Sequence, residues 1–368
     1  MTVPAKLPVS LNMTGDKILT VTGSPVLRVE GLSINFKGQS GISRVVDRVN
    51  FAVGPGEIVG LVGESGCGKT VTTKAILGTL PIPPAIIDSG KIFLNDVDVL
   101  SLGQRNFQLL RRKELALIPQ DPMASLNPVV NIESQMTDII TWRGERKESA
   151  FSSLKISSNR EEKRRARKIA YDSLRQVNIA EPERVLKSYP FQLSGGMRQR
   201  VLIAIAFSVK PTLMVADEPG TALDVSVQDQ VMETMVDLVR KNRVSVLFIT
   251  HDLGVAKKIC DRIYVMYAGN IVETSRSEDF FANPLHPYSN GLLLSVPRLT
   301  GKMGEGIPGD VPNYFNPPPG CRYHPRCAFA MKVCSGVRPG LQNLDSASNH
   351  EVACYLYGQG GTNNANSN

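Results

Sequence analysis

The chain has 368 residues, of which 42% are hydrophobic and 21% are charged. This length allows about two domains, and the composition excludes collagen-like, wholly disordered and small disulfide-stapled proteins. No run reaches the ~20 apolar residues of a membrane-spanning helix, and the N-terminus lacks the long apolar segment of a secretory signal. We therefore expect a cytoplasmic protein whose six cysteines are thiols or metal ligands, because that compartment is reducing.

The net charge of +8 would by itself suggest an acidic partner such as nucleic acid or a lipid surface. Most of the excess lies in residues 143–168, which carry ten basic residues against four glutamates. Because Ala166, Ala170, Leu174 and Val177 recur at helical spacing, the second half of this segment predicts an amphipathic helix. We favour a solvated helix face over a nucleic-acid or lipid contact.

The first part of the chain predicts a flexible leader followed by a pair of strands. Residues 1–25 carry little periodicity. Residues 26–36 and 44–53 are rich in β-branched and apolar side chains and are separated by the turn-like sequence GQSG at 38–41. This pattern is typical of paired strands.

The centre of the chain alternates predicted strands with predicted helices. Short apolar runs of the kind found in strands covered on both faces lie at 57–62, 212–216 and 244–250. A helix is predicted to begin near Ser226, where Ser226 and Asp229 fit a capping box. Strands that alternate with helices indicate an α/β fold with a parallel sheet.

The composition changes after residue 282. Residues 283–357, which we call the C-terminal extension, are rich in Pro, Gly and Cys and show little periodicity. They predict a separate appendage. Residues 358–368 have the polar, glycine-rich composition of a disordered tail.

The sequence GESGCGKT at 63–70, the phosphate loop, matches the pattern G-x-x-x-x-G-K-[ST] between a predicted strand and a predicted helix. Glycines allow successive backbone N–H groups to turn toward an anion, and the helix N-terminus adds to the field. We expect Lys69 to reach the β- and γ-phosphates and Thr70 to offer its hydroxyl to Mg²⁺. The predicted ATP-binding residues of this loop are Gly63, Glu64, Ser65, Gly66, Cys67, Gly68, Lys69 and Thr70.

Two carboxylates follow the apolar run at 212–216. In parallel sheets the carboxyl ends of the strands form the ligand-binding edge. We expect Asp217 to hold the metal and Glu218 to polarise the attacking water as general base. His251 follows another predicted strand and should emerge at the same edge, next to the terminal phosphate. The competing interpretation is that these acidic residues only end a strand in a turn.

The sequence LSGGMRQR at 193–200, the signature segment, places a serine and two glycines at the start of a predicted helix. This is a second phosphate-type site. One chain that binds one nucleotide has no use for two such sites unless the second closes on a nucleotide held by another subunit. The sequence therefore predicts a dimer.

Taken in order, these motifs resemble those of ABC-type ATPases over about residues 26–283. They are GESGCGKT, IPQDP with Gln120, LSGGMRQR, LMVADEP, TALD and ITHD. The resemblance implies an ABC ATPase at 26–282, with a parallel RecA-like sheet, an antiparallel β part and a helical subdomain at about 121–210. Gly220 departs from the family pattern, which has Thr there.

The resemblance also implies how the site works. Two subunits pack head to tail, and each ATP lies between the phosphate loop of one and the signature segment of the other. Gln120 senses the metal and the attacking water, so that Mg²⁺ is held by Thr70, Gln120 and Asp217, and Asp224 links the two sites. Residues that contact the partner's nucleotide are Leu193, Ser194, Gly195, Gly196 and Gln199. Phe36 is the candidate for stacking on adenine, because it follows the first strand.

Other segments are similar to ATPases of dipeptide, oligopeptide and nickel importers. They are HDLGVAKKICDRIYVMYAG at 251–269, NPLHPY at 283–288, SVPRL at 295–299 and GCRYHPRCAFAMKVC at 320–334. The resemblance implies an ATP-hydrolysing subunit of a bacterial peptide importer on the cytoplasmic face of the inner membrane. Its implied partners are a second ATPase subunit, identical or related, two permease subunits that dock at about 121–142, and a solute-binding protein.

Four cysteines of the C-terminal extension have the spacing C-x5-C-x6-C-x19-C. Four thiolates satisfy either Zn²⁺ or an iron–sulfur cube, and the spacing alone does not choose. Some members of the resembled family bind a [4Fe-4S] cluster through such an extension, which favours the cluster over Zn²⁺, while unligated thiols remain the alternative. The predicted ligands are Cys321, Cys327, Cys334 and Cys354.

Two other functions compete with the importer ATPase. The first is an ABC-type ATPase that acts on nucleic acid, which the single cassette and the lack of a long heptad-bearing arm oppose. The second is a non-catalytic partner that binds ATP, which the presence of Glu218 and His251 opposes.

Overall fold

The computed structural model describes residues 24–143, 156–221, 223–296, 306–345 and 349–358. Residues 1–23 of the predicted leader, residues 144–155 of the basic segment and residues 359–368 of the predicted tail lie outside the described residues. None of the described helices combines the length and apolarity that a bilayer crossing requires.

The strands of the described chain form two sheets. The strands are β1 (Leu27–Gly38), β2 (Gly41–Val53), β3 (Ile58–Val62), β4 (Ala85–Leu94), β5 (Val97–Asp98), β6 (Leu115–Ile118), β7 (Leu213–Asp217), β8 (Ser245–Thr250), β9 (Arg262–Tyr267), β10 (Asn270–Arg276), β11 (Gln342–Asp345) and β12 (His350–Val352). The helices are α1 (Lys69–Ile76), α2 (Gln104–Glu114), α3 (Pro122–Ser125), α4 (Ile132–Arg143), α5 (Ile156–Gln176), α6 (Pro182–Lys187), α7 (Gly195–Phe207), α8 (Val225–Asn242), α9 (Leu253–Ile259), α10 (Ser277–Ala282) and α11 (Pro287–Leu294).

The smaller sheet is antiparallel and has the order β2-β1-β4-β5. Its β1–β2 hairpin turns between Gly38 and Gly41, as the sequence predicted. Leu27 and Val29 of β1 are fully buried, because alternate side chains of a strand face one side of the sheet. The register shifts between Val29 and Leu32, and Leu32 is also fully buried.

The larger sheet has the order β11-β12-β10-β9-β3-β8-β7-β6, and its five strands from β9 to β6 are parallel. Every residue of β3 and of β8 is buried, which confirms the predicted strands covered on both faces. Because these strands run in one direction, β3, β7 and β8 end at the same edge. The phosphate loop, Glu218 and His251 all follow at that edge.

Helices α4 to α7 pack together beside this sheet. In the described part of α5 the predicted apolar positions Ala166, Ala170 and Leu174 are buried, which confirms the amphipathic face. Arg167 on its outer side pairs with Glu133 and Glu183.

Helix α8 begins at Val225, directly after Asp224, which makes no side-chain cap bond. The predicted capping box at Ser226 and Asp229 is wrong, because the Asp229 carboxylate accepts from Lys258 Nζ at 2.9 Å.

The C-terminal extension adds strands to the larger sheet. Strand β12 pairs with β10 through Glu273 and Val352, and β11 pairs with β12. The fully buried Glu273 carboxylate accepts from the backbone N–H groups of Leu285 and His286, each at 2.8 Å, and lies 2.7 Å from His350 Nε2. The extension therefore shares a hydrogen-bonded sheet with the part of the chain that carries the phosphate loop.

Candidate active site

The phosphate loop connects β3 to α1 and curls through three glycines with positive φ. The φ angles are +153° at Gly63, +81° at Gly66 and +110° at Gly68, a region that side chains disfavour. A Cβ on Gly63 would lie 2.1 Å from the backbone oxygen of Met266 in β9. The glycines of the motif are therefore required by the backbone path and by the close approach of a neighbouring strand.

Lys69 is the first residue of α1 and is only 4% exposed. Its Nζ donates to the backbone oxygens of Gly63 at 2.6 Å and Glu64 at 3.0 Å, so the ammonium group lies over the loop. Thr70 follows it and is exposed. Burial raises the pKa of the neighbouring Cys67 thiol, so Cys67 stays neutral and acts as packing. A positive side chain and a helix N-terminus thus face the same space, as anion binding requires.

The predicted metal-binding carboxylate ends β7. Burial raises the pKa of Asp217, and the adjacent Glu218 raises it further, whereas Lys69 and Lys74 act in the opposite direction. Glu218 has a φ of +47°, and its backbone N–H donates to the Ile249 oxygen of β8 at 2.9 Å. Because burial and the neighbouring Glu218 disfavour the negative charge of Asp217, a cation beside Asp217 would be favoured.

The three predicted catalytic side chains meet at Glu218. Gln120 Nε2 donates to Glu218 Oε2 at 2.8 Å, and His251 Nδ1 lies 2.9 Å from Glu218 Oε1. The Glu218 side chain is 13% exposed, and that of His251 is 49% exposed. Side chains that follow β6 and β8 thus hold both oxygens of the carboxylate that follows β7, at the sheet edge where the phosphate loop follows β3.

The signature segment begins α7. Ser194 is the N-cap and is exposed, and its Oγ accepts from the backbone N–H of Met197 at 3.3 Å. Leu193, Gly196 and Gln199 are buried, and a Cβ on Gly196 would lie 2.5 Å from Val227 Cγ1. In the described chain no hydrogen bond joins Ser194 or the exposed Asp224 to the phosphate loop.

Comparison with known proteins decides the family. Residues 46–221 match the family model described as ABC transporter, and residues 272–334 match the model for the C-terminal region of oligopeptide/dipeptide transporters. The oligopeptide transport ATP-binding protein AppD of Bacillus subtilis (strain 168) is 42% identical over 340 residues, which cover 92% of this chain and 98% of AppD. The chain belongs to the ATP-binding subunits of oligopeptide and dipeptide ABC transporters.

Two further likenesses agree with this family. The dipeptide transport ATP-binding protein DppD of the same organism is 40% identical over 336 residues, which cover 91% of this chain and 95% of DppD. The solved dimer of the ATP-binding cassette MJ0796 in a post-hydrolysis state, bound to ADP and Pi, has a TM-score of 0.57 at 23% identity and covers 68% of this chain and 98% of that chain. The structure therefore confirms the predicted ABC ATPase fold.

One predicted contact residue of this ABC ATPase lies in the antiparallel sheet. Phe36 is partly buried in β1, opposite Ser43 and Ala85, and packs against the core of that sheet. Its stacking on adenine stays a prediction.

The four cysteines of the extension line one pocket, whose cavity volume is about 20 Å³. All four are free thiols. Burial raises the pKa values of Cys321 and Cys327, and it raises that of Cys354 to about 11. In the part of the chain that the structure describes, no group of three or more His, Cys, Asp or Glu side chains is arranged to hold a metal ion.

The contacts between the C-terminal extension and the phosphate loop were not predicted. The backbone N–H of Glu64 donates to Tyr288 Oη at 2.8 Å, and Arg326 pairs with the Glu64 carboxylate. Both partners lie in the segment that matches the family's C-terminal region, but neither carries a local signal for a contact so distant in sequence.

Proposed function

We propose that this chain is the ATP-hydrolysing subunit that powers the import of peptides by a bacterial ABC transporter. The observation that carries the proposal is the convergence of Gln120, Glu218 and His251 at the sheet edge where the phosphate loop follows β3. The ABC ATPase family supplies the reaction, and relatives about 40% identical are named for oligopeptide and dipeptide transport.

The phosphate groups of ATP are bound by Lys69 and by the backbone N–H groups at the start of α1. Thr70, Asp217 and Gln120 would hold Mg²⁺, which neutralises phosphate charge when it is bound. The raised pKa of Asp217 supports this role, because a nearby cation would relieve the repulsion from Glu218.

Glu218 is the general base for the attacking water. Each carboxylate oxygen accepts from two directions, so the bonds to Gln120 and His251 leave each oxygen free to accept a proton from water. The same bonds fix the carboxylate in one orientation, which general base catalysis requires. The His251 side chain is 49% exposed, which leaves its ring accessible to a terminal phosphate.

The signature segment completes the site of a second ATPase subunit, which is identical or related. Ser194 would bind the γ-phosphate held by the partner, and Asp224 would link the two sites. The exposure of both side chains supports this arrangement, because only exposed groups reach another subunit.

Docking on two permease subunits involves residues 121–142. Met123, Val129 and Trp142 leave 48%, 79% and 50% of their surfaces exposed in this segment, so the segment offers apolar side chains to a partner. The subunit is peripheral on the cytoplasmic face of the membrane, and an extracellular or periplasmic solute-binding protein delivers the peptide.

Residues 26–282 form the ATPase domain, with its helical subdomain at about 121–210, and residues 283–357 form the extension. A nucleic-acid substrate is not favoured, because the relatives are peptide transport proteins.

The experiment that tests the ATPase assignment is Glu218→Gln. The amide keeps the shape of the side chain but does not accept a proton, so we expect ATP binding and dimerisation to persist while phosphate release falls at least about 100-fold. Asp229→Asn makes the same chemical change at a surface ion pair and should leave turnover unchanged. Equal turnover in Glu218→Gln and the wild type would contradict the role of Glu218.

We also propose that Cys321, Cys327, Cys334 and Cys354 bind a [4Fe-4S] cluster, with Zn²⁺ as the alternative. All four line one pocket, although no three of them are arranged to hold a metal ion in the described residues, so ligation would have to draw them closer together. Thiolate ligation would tie together a segment that is poor in apolar residues. Protein purified without air should be brown and contain iron, and Cys321→Ser should bleach it. Colourless protein that contains zinc would show that the four cysteines bind Zn²⁺ and not the cluster. Protein that contains neither metal would show that the four thiols are unligated.

A further inference from the structure

Three side chains of the C-terminal extension contact the phosphate loop directly. Tyr288 Oη accepts from the backbone N–H of Glu64 at 2.8 Å, and Tyr314 Oη donates to the backbone oxygen of Gly66 at 2.7 Å. Arg326 donates through both terminal nitrogens to the two carboxylate oxygens of Glu64, at 2.8 and 3.2 Å. The extension therefore holds the loop by its backbone at two residues and by one side chain.

The Arg326–Glu64 pair is well placed to fix the loop. The Arg326 side chain is 5% exposed and that of Glu64 is 27% exposed. Arg326 also donates to the backbone oxygens of Pro308 at 2.8 Å and Ile307 at 3.1 Å, and it lies over the Tyr267 ring. A bidentate pair of this kind is stronger and more directional than a single contact, and removal of one partner leaves the other charge poorly compensated.

Tyr288 is anchored by contacts of its own. Its ring is fully buried against Tyr267, with the ring centroids 4.6 Å apart. Its backbone N–H donates to His286 Nδ1 at 3.0 Å, and the His286 N–H donates to Glu273 in β10. A chain of hydrogen bonds thus leads from the larger sheet through α11 to the phosphate loop.

These contacts affect nucleotide binding in two ways. Lys69 donates to the backbone oxygen of Glu64, so a shift of Glu64 would displace a partner of the phosphate-binding lysine. The Glu64 carboxylate also lies in a loop that binds an anion, and a carboxylate without Arg326 would repel the phosphates. Arg326 both positions the loop and neutralises its negative side chain.

We propose that the C-terminal extension sets the ATP affinity of this subunit: Arg326 neutralises and orients the Glu64 carboxylate, and Tyr314 positions the loop through Gly66. This inference rests on the proposed role of the phosphate loop in ATP binding. The bonds around Glu218 do not involve the extension, so the extension acts on the dissociation constant and the KM for ATP rather than on kcat.

The test measures binding of Mg-ATP to full-length protein that carries Glu218→Gln, and steady-state kinetics without that change. Arg326→Gln should raise the Kd and the KM about tenfold, with kcat at saturating ATP within about twofold of wild type. In the double variant Glu64→Gln, Arg326→Gln the repelling carboxylate is gone, so most of the lost affinity should return. A purely structural role for Arg326 would not give this recovery.

A milder pair of variants tests the same inference if Arg326→Gln does not fold. Tyr314→Phe removes only the hydroxyl that donates to Gly66 and should raise the Kd about threefold. Tyr357→Phe removes a comparable extension bond, from Tyr357 Oη to the Leu285 oxygen at 2.9 Å, and should leave the Kd unchanged. Wild-type affinity in Tyr314→Phe, or equal losses in both variants, overturns the inference while ATP binding stands. A wild-type chain that does not bind ATP overturns the proposed function instead.

Discussion

At the scale of single residues, the glycines of the phosphate loop are not equivalent. A Cβ on Gly63 would clash with the Met266 backbone at 2.1 Å, whereas a Cβ on Gly66 would meet nothing within 4 Å. Gly66→Ala should therefore cost about 1–3 kcal/mol of backbone strain, and Gly63→Ala should cost clearly more because it adds a clash with a buried strand. Urea unfolding at neutral pH measures the loss in free energy of unfolding for both variants. Equal losses would mean that the clash with the Met266 backbone does not add to the cost of Gly63→Ala.

His286 gives a pH dependence with a definite sign. Its ring is 1% exposed, and burial lowers its pKa from 6.5 to about 4, although Glu273 acts in the opposite direction. The unfolded chain then binds the proton more readily than the folded chain. The contribution of neutral His286 to stability is complete above about pH 6.5 and is lost as the pH falls toward 4, by about 3 kcal/mol in total.

The matched variant is His286→Asn, whose side-chain oxygen can still accept from the Tyr288 N–H but does not titrate. We expect its free energy of unfolding to fall less steeply between pH 6.5 and pH 4 than that of the wild type. Urea unfolding at several pH values makes the comparison. Parallel curves for the two proteins would show that His286 does not cause the acid sensitivity.

At the scale of elements, the position of the signature segment depends on how closely α7 approaches α8. A Cβ on Gly196 would lie 2.5 Å from Val227 Cγ1, so Gly196→Ala should move the first turn of α7, which carries Ser194. We expect about tenfold weaker ATP-dependent dimerisation in the Glu218→Gln background, measured by analytical ultracentrifugation. Val227→Ala removes the clashing methyl groups and should restore dimerisation to Gly196→Ala. If Val227→Ala does not restore dimerisation, the effect of Gly196→Ala does not come from the packing of α7 against α8.

The elements also show which features local sequence predicts. Strands β3, β7 and β8 lie within one residue of their predicted bounds, because a continuous apolar run is the direct trace of a strand buried on both faces. The meeting of Glu218 with His251 followed from the common direction of those strands. The predicted capping box at Ser226 was wrong because Asp229 pairs with Lys258, a residue 29 positions away. The sequence around Ser226 contains no signal for a partner so distant along the chain.

At the scale of the whole molecule, the features that escaped prediction are those with long sequence separation. Strands β11 and β12 are short and carry no clear alternation, and their place in the sheet depends on pairing with β10. The pair between Arg326 and Glu64 joins residues 262 positions apart. Composition indicated an appendage after residue 282, but only the folded chain shows that the appendage continues the sheet and reaches the phosphate loop.

Shared strands make the stability of the ATPase part depend on the extension. A chain that ends at residue 283 loses the three hydrogen-bond partners of the fully buried Glu273 carboxylate and exposes the edge of β10. Because a buried charge without partners is costly, we expect this truncation to lower the free energy of unfolding by at least about 3 kcal/mol and to promote aggregation. A chain that ends at residue 358 keeps every one of these contacts and should match the full-length protein in urea unfolding and light scattering. Equal stability of the two truncated chains would mean that the nucleotide-binding part folds without the strands that extend its sheet.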